Sequence, residues 1–224
     1  MSNLYDPMSV ALVLGALSLL PLVMICTTCY LKVSVVLMIV RNAIGIQQVP
    51  PTVAVYAVAL ATTFFVMAPV FGQMQTRLAA SPSQAVMSYP EAGMPRLPPF
   101  AEIVSAAEPL RQFMVGHTLP ERRQHFLDLL RRQWPPAQSA TVRDSDYVVL
   151  VPSFVVSELQ LAFQAGFVLY VPFVVIDLLI SNVLLALGMQ MVSPMVVSLP
   201  LKLLLFVVLD GWVKLIDSLV LSYA

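Results

Sequence analysis

Residues 178–212 read LLISNVLLALGMQMVSPMVVSLPLKLLLFVVLDGW. Two long apolar runs flank a short interruption, Gly188-Met189-Gln190-Met191-Val192-Ser193-Pro194-Met195. Glycine weakens a helix, and Pro194 lacks the amide donor that a helix interior needs. The stretch therefore predicts two helical arms joined by a non-helical turn. In hydrocarbon, such a break is tolerated only where protein or a water-filled passage surrounds the freed backbone groups. Met189, Met191 and Met195 cluster at the break, and methionine is the most deformable apolar side chain. Two readings follow: a soft collar that closes around a variable object, or a helix–helix turn whose methionines fill gaps.

Working outward, the whole chain shares this character. Its 224 residues are 59% hydrophobic and 11% charged, with a mean hydropathy of +0.86. Ordinary soluble domains carry roughly twice that charge fraction. The charge is also unevenly spread, with 15 of the 24 charged residues between Arg77 and Asp146. The outer segments are therefore membrane-type, and the middle is water-compatible. The predicted fold class is all-α: hydrophobic, proline-kinked helical hairpins forming four membrane-type segments, with a small helical soluble insertion. The predicted division is a hairpin over 1–76, an insertion over 77–147 and a second hairpin over 148–224. Net charge is zero, which gives no argument for a nucleic-acid partner.

Residues 8–31 contain 24 positions without a charge, long enough to span a bilayer with tilt. Lys32 follows, and the helical pattern continues to Val40. A polar turn ending in Pro50-Pro51 precedes a second uncharged run of 19 residues, 53–71. Lys32 and Arg41 flank this first hairpin, so the positive-inside rule puts its tip in the cytoplasm and the insertion on the periplasmic side. The first ten residues contain Asp6 and no lysine or arginine, unlike a secretory signal peptide. Cys26 and Cys29 read as small buried hydrophobes on one helix face, because no strand–turn–helix context supports redox chemistry.

Within the insertion, residues 81–99 hold five prolines and read as an irregular linker. Residues 100–115 have helical apolar spacing. Thr118-Leu119-Pro120-Glu121 reads as a capping box opening a helix with Phe126, Leu129, Leu130 and Gln133/Trp134 on one side. Arg122, Arg123, Arg131 and Arg132 are then a solvated face, and His117 and His125 surface residues without metal-site spacing.

Beyond the insertion, the apolar run to Leu187 is too long for one straight span, and a kink is expected near Pro172. Ser153, Ser157, Gln160 and Gln164 form one helical stripe of the kind that packs against other helices. Glu158 and Asp177 must face protein or water, because a carboxylate facing lipid is costly. The last segment, from Met195 onward, is expected to be helical. There Lys214 is spaced to pair with Asp210 or Asp217, and Asp210 is another charge to be buried. Lys202 has no acid one turn away, so its partner is Glu158 or Asp177, from this chain or a neighbour.

At this point several blocks together resemble a known family: RNAIGIQQVPP (41–51), VMAP (66–69), VSELQLAFQAGF (156–167), PFVVIDLLISNVLLALGMQMVSP (172–194) and SLPLKLLLFVVLDGW (198–212). They are similar to the FliP/SctR export-apparatus proteins of type III secretion, and more to the injectisome branch than to the flagellar one. The resemblance implies a pentamer joined by FliQ/SctS-type and FliR/SctT-type proteins and other basal-body components in a cone-shaped gate. It implies an inner-membrane, multi-pass location, with much of the apolar surface in contact with subunits above the bilayer plane as well as with lipid. Secreted proteins are then the substrates. It also implies that Met189, Gln190 and Met191 form the pore gasket, where many relatives have three methionines. The resemblance further implies that Glu158 and Lys202 carry the inter-subunit charge pair of the family.

The leading expectation is therefore a structural and gating component of an export channel, with no catalysis and no cofactor. The alternative is a proton- or solute-coupled secondary transporter using Glu158 and Asp177. No inverted repeat of matched broken helices supports that alternative. Neither a phosphate-cradling loop, nor GxSxG, nor a metal-ligand cluster supports an enzyme.

Overall fold

A computed structural model describes residues 7–46, 49–80 and 100–224. Among these residues every regular element is a helix. The order is α1 (Pro7–Thr27), α2 (Tyr30–Ile44), α3 (Thr52–Ala79), α4 (Phe100–Ala106), α5 (Glu108–Gly116), α6 (Pro120–Gln133), α7 (Pro136–Ser139), α8 (Tyr147–Ala186), α9 (Pro194–Val208) and α10 (Gly211–Leu221). The linker expected over 81–99 lies outside the described residues, as do Asp6, Gln47 and Gln48.

Helix α2 is the axis of the packing. Lys32, Val33, Ser34, Val36, Leu37, Val40, Ala43 and Ile44 are all buried, so it is enclosed on several faces. Such a helix belongs inside a bundle. Its neighbours are α8, α3, α9 and α1. The main core joins its Val33, Val36, Leu37, Val40, Ala43 and Ile44 to Val55 and Ala59 of α3, Ala162 and Phe173 of α8, and Leu215 and Leu219 of α10. Gly166 of α8 allows the closest approach, since a Cβ there would lie 2.4 Å from Ile39 Cδ1.

Helices α3 and α8 are each long and apolar enough to cross a membrane, and two bent pairs raise the number to four if each pair is one span. Both bends depart from the sequence reading. The run expected to continue from residue 8 to Val40 turns by 78° between α1 and α2. Thr27 and Thr28 donate their hydroxyls to the carbonyls of Val23 and Met24, at 2.7 and 2.6 Å. Side-chain competition of this kind bends helices, and Pro21 adds a missing donor one and a half turns earlier. Cys29 therefore sits at the bend and is buried, whereas Cys26 is half-buried. The last segment likewise breaks, with 60° between α9 and α10. Asp210 adopts φ 51°, the left-handed region. Gly211 follows because a Cβ there would meet the Phe206 ring at 2.4 Å. The expected one-turn pairing is not formed: Lys214 closes no ion pair with Asp210 or Asp217.

Helix α8 runs 40 residues through Pro152 and Pro172, about 60 Å at 1.5 Å per residue. Its first turns belong to the insertion: Leu150 and Phe154 pack with Met114, and Val149 with Leu127 and Leu130. The insertion differs locally from expectation. Residues 100–115 form two helices meeting at Ala107. No side chain caps α6, because Thr118 donates to Met114 O at 2.8 Å instead. The buried face of α6 is Leu127 and Leu130, while Leu129 and Trp134 are exposed. Arg123 is not solvated: its guanidinium donates to Val115 O (2.7 Å), Thr118 O (2.9 Å) and Asp144 (3.2 Å), fastening α6 to the end of α5. At the start of α5, Arg111 donates to both Glu108 oxygens and holds that carboxyl below its ordinary pKa. The polar stripe of α8 divides, with Ser153 and Ser157 buried and Gln160 and Gln164 exposed.

The close contact of α2 and α8 can be tested directly. Gly166→Ala should lower the thermal midpoint of the detergent-extracted protein through an overpacking cost of about 1–3 kcal/mol. Adding Ile39→Val, which removes the obstructing methyl, should recover part of the loss.

Candidate functional site

Two places gather the residues that sequence alone singled out. The first is the turn between α8 and α9. Helix α8 ends with Gly188 in the left-handed region at φ 73°. The amide of Met189 donates to Leu184 O at 2.9 Å, and that of Gly188 to Leu185 O at 3.0 Å. This is a Schellman closure, in which a glycine satisfies the last carbonyls of a helix. Pro194 opens α9 at its first turn, where a missing amide hydrogen costs nothing. The turn is thus fixed at both ends, and it presents Met189, Gln190 and Met191 outward. Met191 is wholly exposed and Met189 is 46% exposed. Apolar side chains left bare at a loop tip mark a surface that meets something other than bulk water.

Beneath the turn, Lys202 of α9 is buried. Its Nζ donates to Asp177 Oδ2 of α8 at 2.6 Å and to Ala43 O of α2 at 3.2 Å. Met195 lies against Gly45, just past α2, with its Cε 3.8 Å from where a Cβ would stand. The base of the turn is therefore tied to the end of the central helix. Of the two acids left open by the lone-charge argument, Asp177 is the partner within the chain. Its side chain is 45% exposed. Asp210, read from sequence as a buried charge, is exposed in the single chain, at the break between α9 and α10. Its backbone turn explains this: the left-handed residue sits outside both helices and points away from the core.

The second place surrounds Glu158, which has no exposed surface. It does not touch Lys202 within one chain. Its Oε2 accepts a hydrogen bond from the hydroxyl of Tyr223, just past α10, and its Oε1 has no protein partner. Lys32 sits 4.3 Å above the centre of the Tyr223 ring and donates to Ser222 Oγ at 2.7 Å. Phe113 and His117 of the insertion stack around the same ring, at 5.9 and 5.2 Å. His117 is thus partly enclosed and not the surface residue expected. Sequence reasoning missed Lys32 and Tyr223 here. Lys32 was legible by the rule applied to Lys202, since it too is a lone cation in an apolar run. Tyr223 carried no signal.

The chemistry of both places is that of packing and charge burial. Asp177→Ala would leave Lys202 buried with one neutral acceptor. A loss of about 1.5–3 kcal/mol in thermal unfolding is expected, the range for a hydrogen bond to a charged group. Lys202→Met in the same background should be milder than Asp177→Ala alone, because no buried charge is then left over.

The FliP family model matches residues 13–219. The chain is 50% identical to the harpin secretion protein HrcR of Erwinia amylovora, over 98% of this chain and 97% of that protein. It is 41% identical to Yop proteins translocation protein R of Yersinia pestis, over 100% and 99%. It is 40% identical to the virulence protein YscR of Salmonella typhimurium, over 98% of each. Nearly the full length of each relative is covered, from the bent first helices through the methionine turn to α10, and the chain belongs to the FliP family.

Proposed function

We propose that this protein is a core structural and gating subunit of a type III protein export gate, of the injectisome branch. The names of its relatives, a harpin secretion protein and a Yop translocation protein, support secretion as the process and proteins as the cargo. Five copies around an axis, joined by FliQ/SctS-type and FliR/SctT-type partners and further basal-body components, would form a pore in the bacterial inner membrane. The apolar surface that one chain leaves bare would meet those subunits and lipid. The insertion would lie on the periplasmic side, following Arg41 at the tip of the first hairpin, where it donates to Pro50 O and Thr52. Lys32, buried beside Tyr223 and the insertion residues Phe113 and His117 that stack on it, does not count toward that orientation.

The observation that carries this reading is the methionine turn. Met189 and Met191 are exposed on a loop whose two ends are fixed, at the far end of a 40-residue helix from the insertion. In a ring, such side chains give a flexible apolar constriction that stops ions by dewetting and yields to a passing polypeptide. Gln190, also exposed, would admit some water to the ring. Met189→Ala with Met191→Ala should raise ion conductance in planar bilayers carrying the assembled gate, while secretion continues. Gln190→Met should lower the resting leak. An unchanged leak in the assembled double variant would sink the gasket reading.

The pairing of Glu158 with Lys202 is proposed for the assembly, between neighbouring subunits, where Asp177 and Asp210 would also be buried. Each of the pair has another partner within one chain, so the contact requires an exchange on assembly. Glu158→Lys combined with Lys202→Glu should then recover part of the complex lost in either single variant, read as the mass of the detergent-extracted particle. Failure of the swap, with both single variants assembling normally, would remove the inter-subunit contact.

A further inference from the structure

Tyr223 reaches more separate parts of the chain than any functional candidate taken from the sequence. Its hydroxyl donates to Glu158 of α8. Its ring lies under Lys32 of α2 at 4.3 Å and stacks on Phe113 of α5 at 5.9 Å, with an interplanar angle of 24°. His117, just past α5, closes another side at 5.2 Å. The ring also covers the small core of Cys29, Met67 and Leu110, which holds the bend between α1 and α2 against α3 and α5. Lys32 and Glu158 are both buried, and the phenol bridges them, with its π-face to the cation and its hydroxyl to the anion.

We propose that Tyr223 is a strap: it closes over Cys29 and Glu158 and locks the insertion helix α5 onto the bend between α1 and α2. The proposal does not rest on the methionine gasket and concerns the single chain, the state that precedes the exchange of Glu158 from Tyr223 to Lys202 proposed for assembly. Three features make Tyr223 more than an ordinary core aromatic. It stands outside α10, held there by a single turn from its amide to Val220 O at 3.0 Å. Its release would strand a buried carboxylate whose other oxygen already lacks a protein partner. And α10 itself leaves α9 at a 60° break, so a swing of α10 would pull the strap from α5. The strap thereby connects the C-terminal hairpin to the insertion through one side chain.

Cys29 is the natural reporter, because it has no exposed surface while the strap is closed. In a Cys26→Ser background, the rate of Cys29 alkylation by N-ethylmaleimide is measured on the detergent-extracted full-length protein. Parent protein should label slowly. Tyr223→Phe keeps the ring and loses the hydroxyl, and should label about tenfold faster, the effect of one lost hydrogen bond to a buried carboxylate. Tyr223→Ala should label faster still. Glu158→Gln added to Tyr223→Phe should slow labelling again, because an unpartnered amide is cheaper to bury than an unpartnered carboxylate. A Tyr223→Phe protein that labels at the parental rate overturns the proposal, whether or not Tyr223→Ala accumulates. General loosening is checked with Ala43→Cys in a Cys26→Ser/Cys29→Ser background, at the far end of α2, about 21 Å along the helix from Cys29. An equal rise at that position also overturns the strap, since the change would then be unfolding.

Discussion

Among the described residues, three charged side chains are buried between apolar helices: Lys32, Glu158 and Lys202. Their removal from water is affordable only where each meets a partner from another element, and that requirement fixes how the helices lie. Lys202 ties α9 to α8 through Asp177 and to α2 through the carbonyl of Ala43. Lys32 and Glu158 meet on opposite sides of Tyr223, which binds α2, α8 and the residue past α10. Apolar packing alone tolerates sliding and rotation of one helix on another. A buried ion does not, because a shift of one turn would leave it unpaired at a cost of several kcal/mol, on the order of total domain stability.

Local chemistry then shapes the helices around those anchors. Threonine hydroxyls turn the first apolar run at residues 27–29, and a left-handed aspartate followed by glycine turns the last one. A glycine closes α8 and a proline opens α9, so the intervening loop holds its methionines outward. These breaks serve one geometric end. They convert apolar stretches long enough for simple membrane crossings into two bent pairs, one containing α2 and the other packed against it, while α8 continues unbroken from the insertion to the methionine turn.

The same geometry explains why so much apolar surface stays bare. Only a minority of the apolar windows of α3 and α8 is buried within the chain, 28% and 11%. Most of the outer face is thus free for lipid or other subunits, whereas the interior is sealed and contains the costly ions. A family of secretion proteins built to assemble fits this division better than a self-contained globule does.

Sequence by itself determined the helical class, the hydrophobic segments and the position of the turn with its methionines, because periodicity, glycine and proline act over a few residues. That Met189 and Met191 stand exposed was decided by the structure. Sequence also established that Lys202 needed an acid from elsewhere. Tertiary structure decided which one. Asp177 and Glu158 are equally acidic in a string of letters, and the bends that bring Asp177 to Lys202 and leave Glu158 to Tyr223 arise from packing around α2. The same limit explains α6, where Leu127 and not Leu129 faces inward: both lie near one apolar stripe, and the side that is buried is set by where Val149 of α8 and Val142 stand. Arg123 reads as one of four solvated arginines until the carbonyls at the end of α5 come within reach of it. A local pattern reports that a side chain is apolar or charged, but its partner comes from residues tens of positions away, and only the closed chain brings them together.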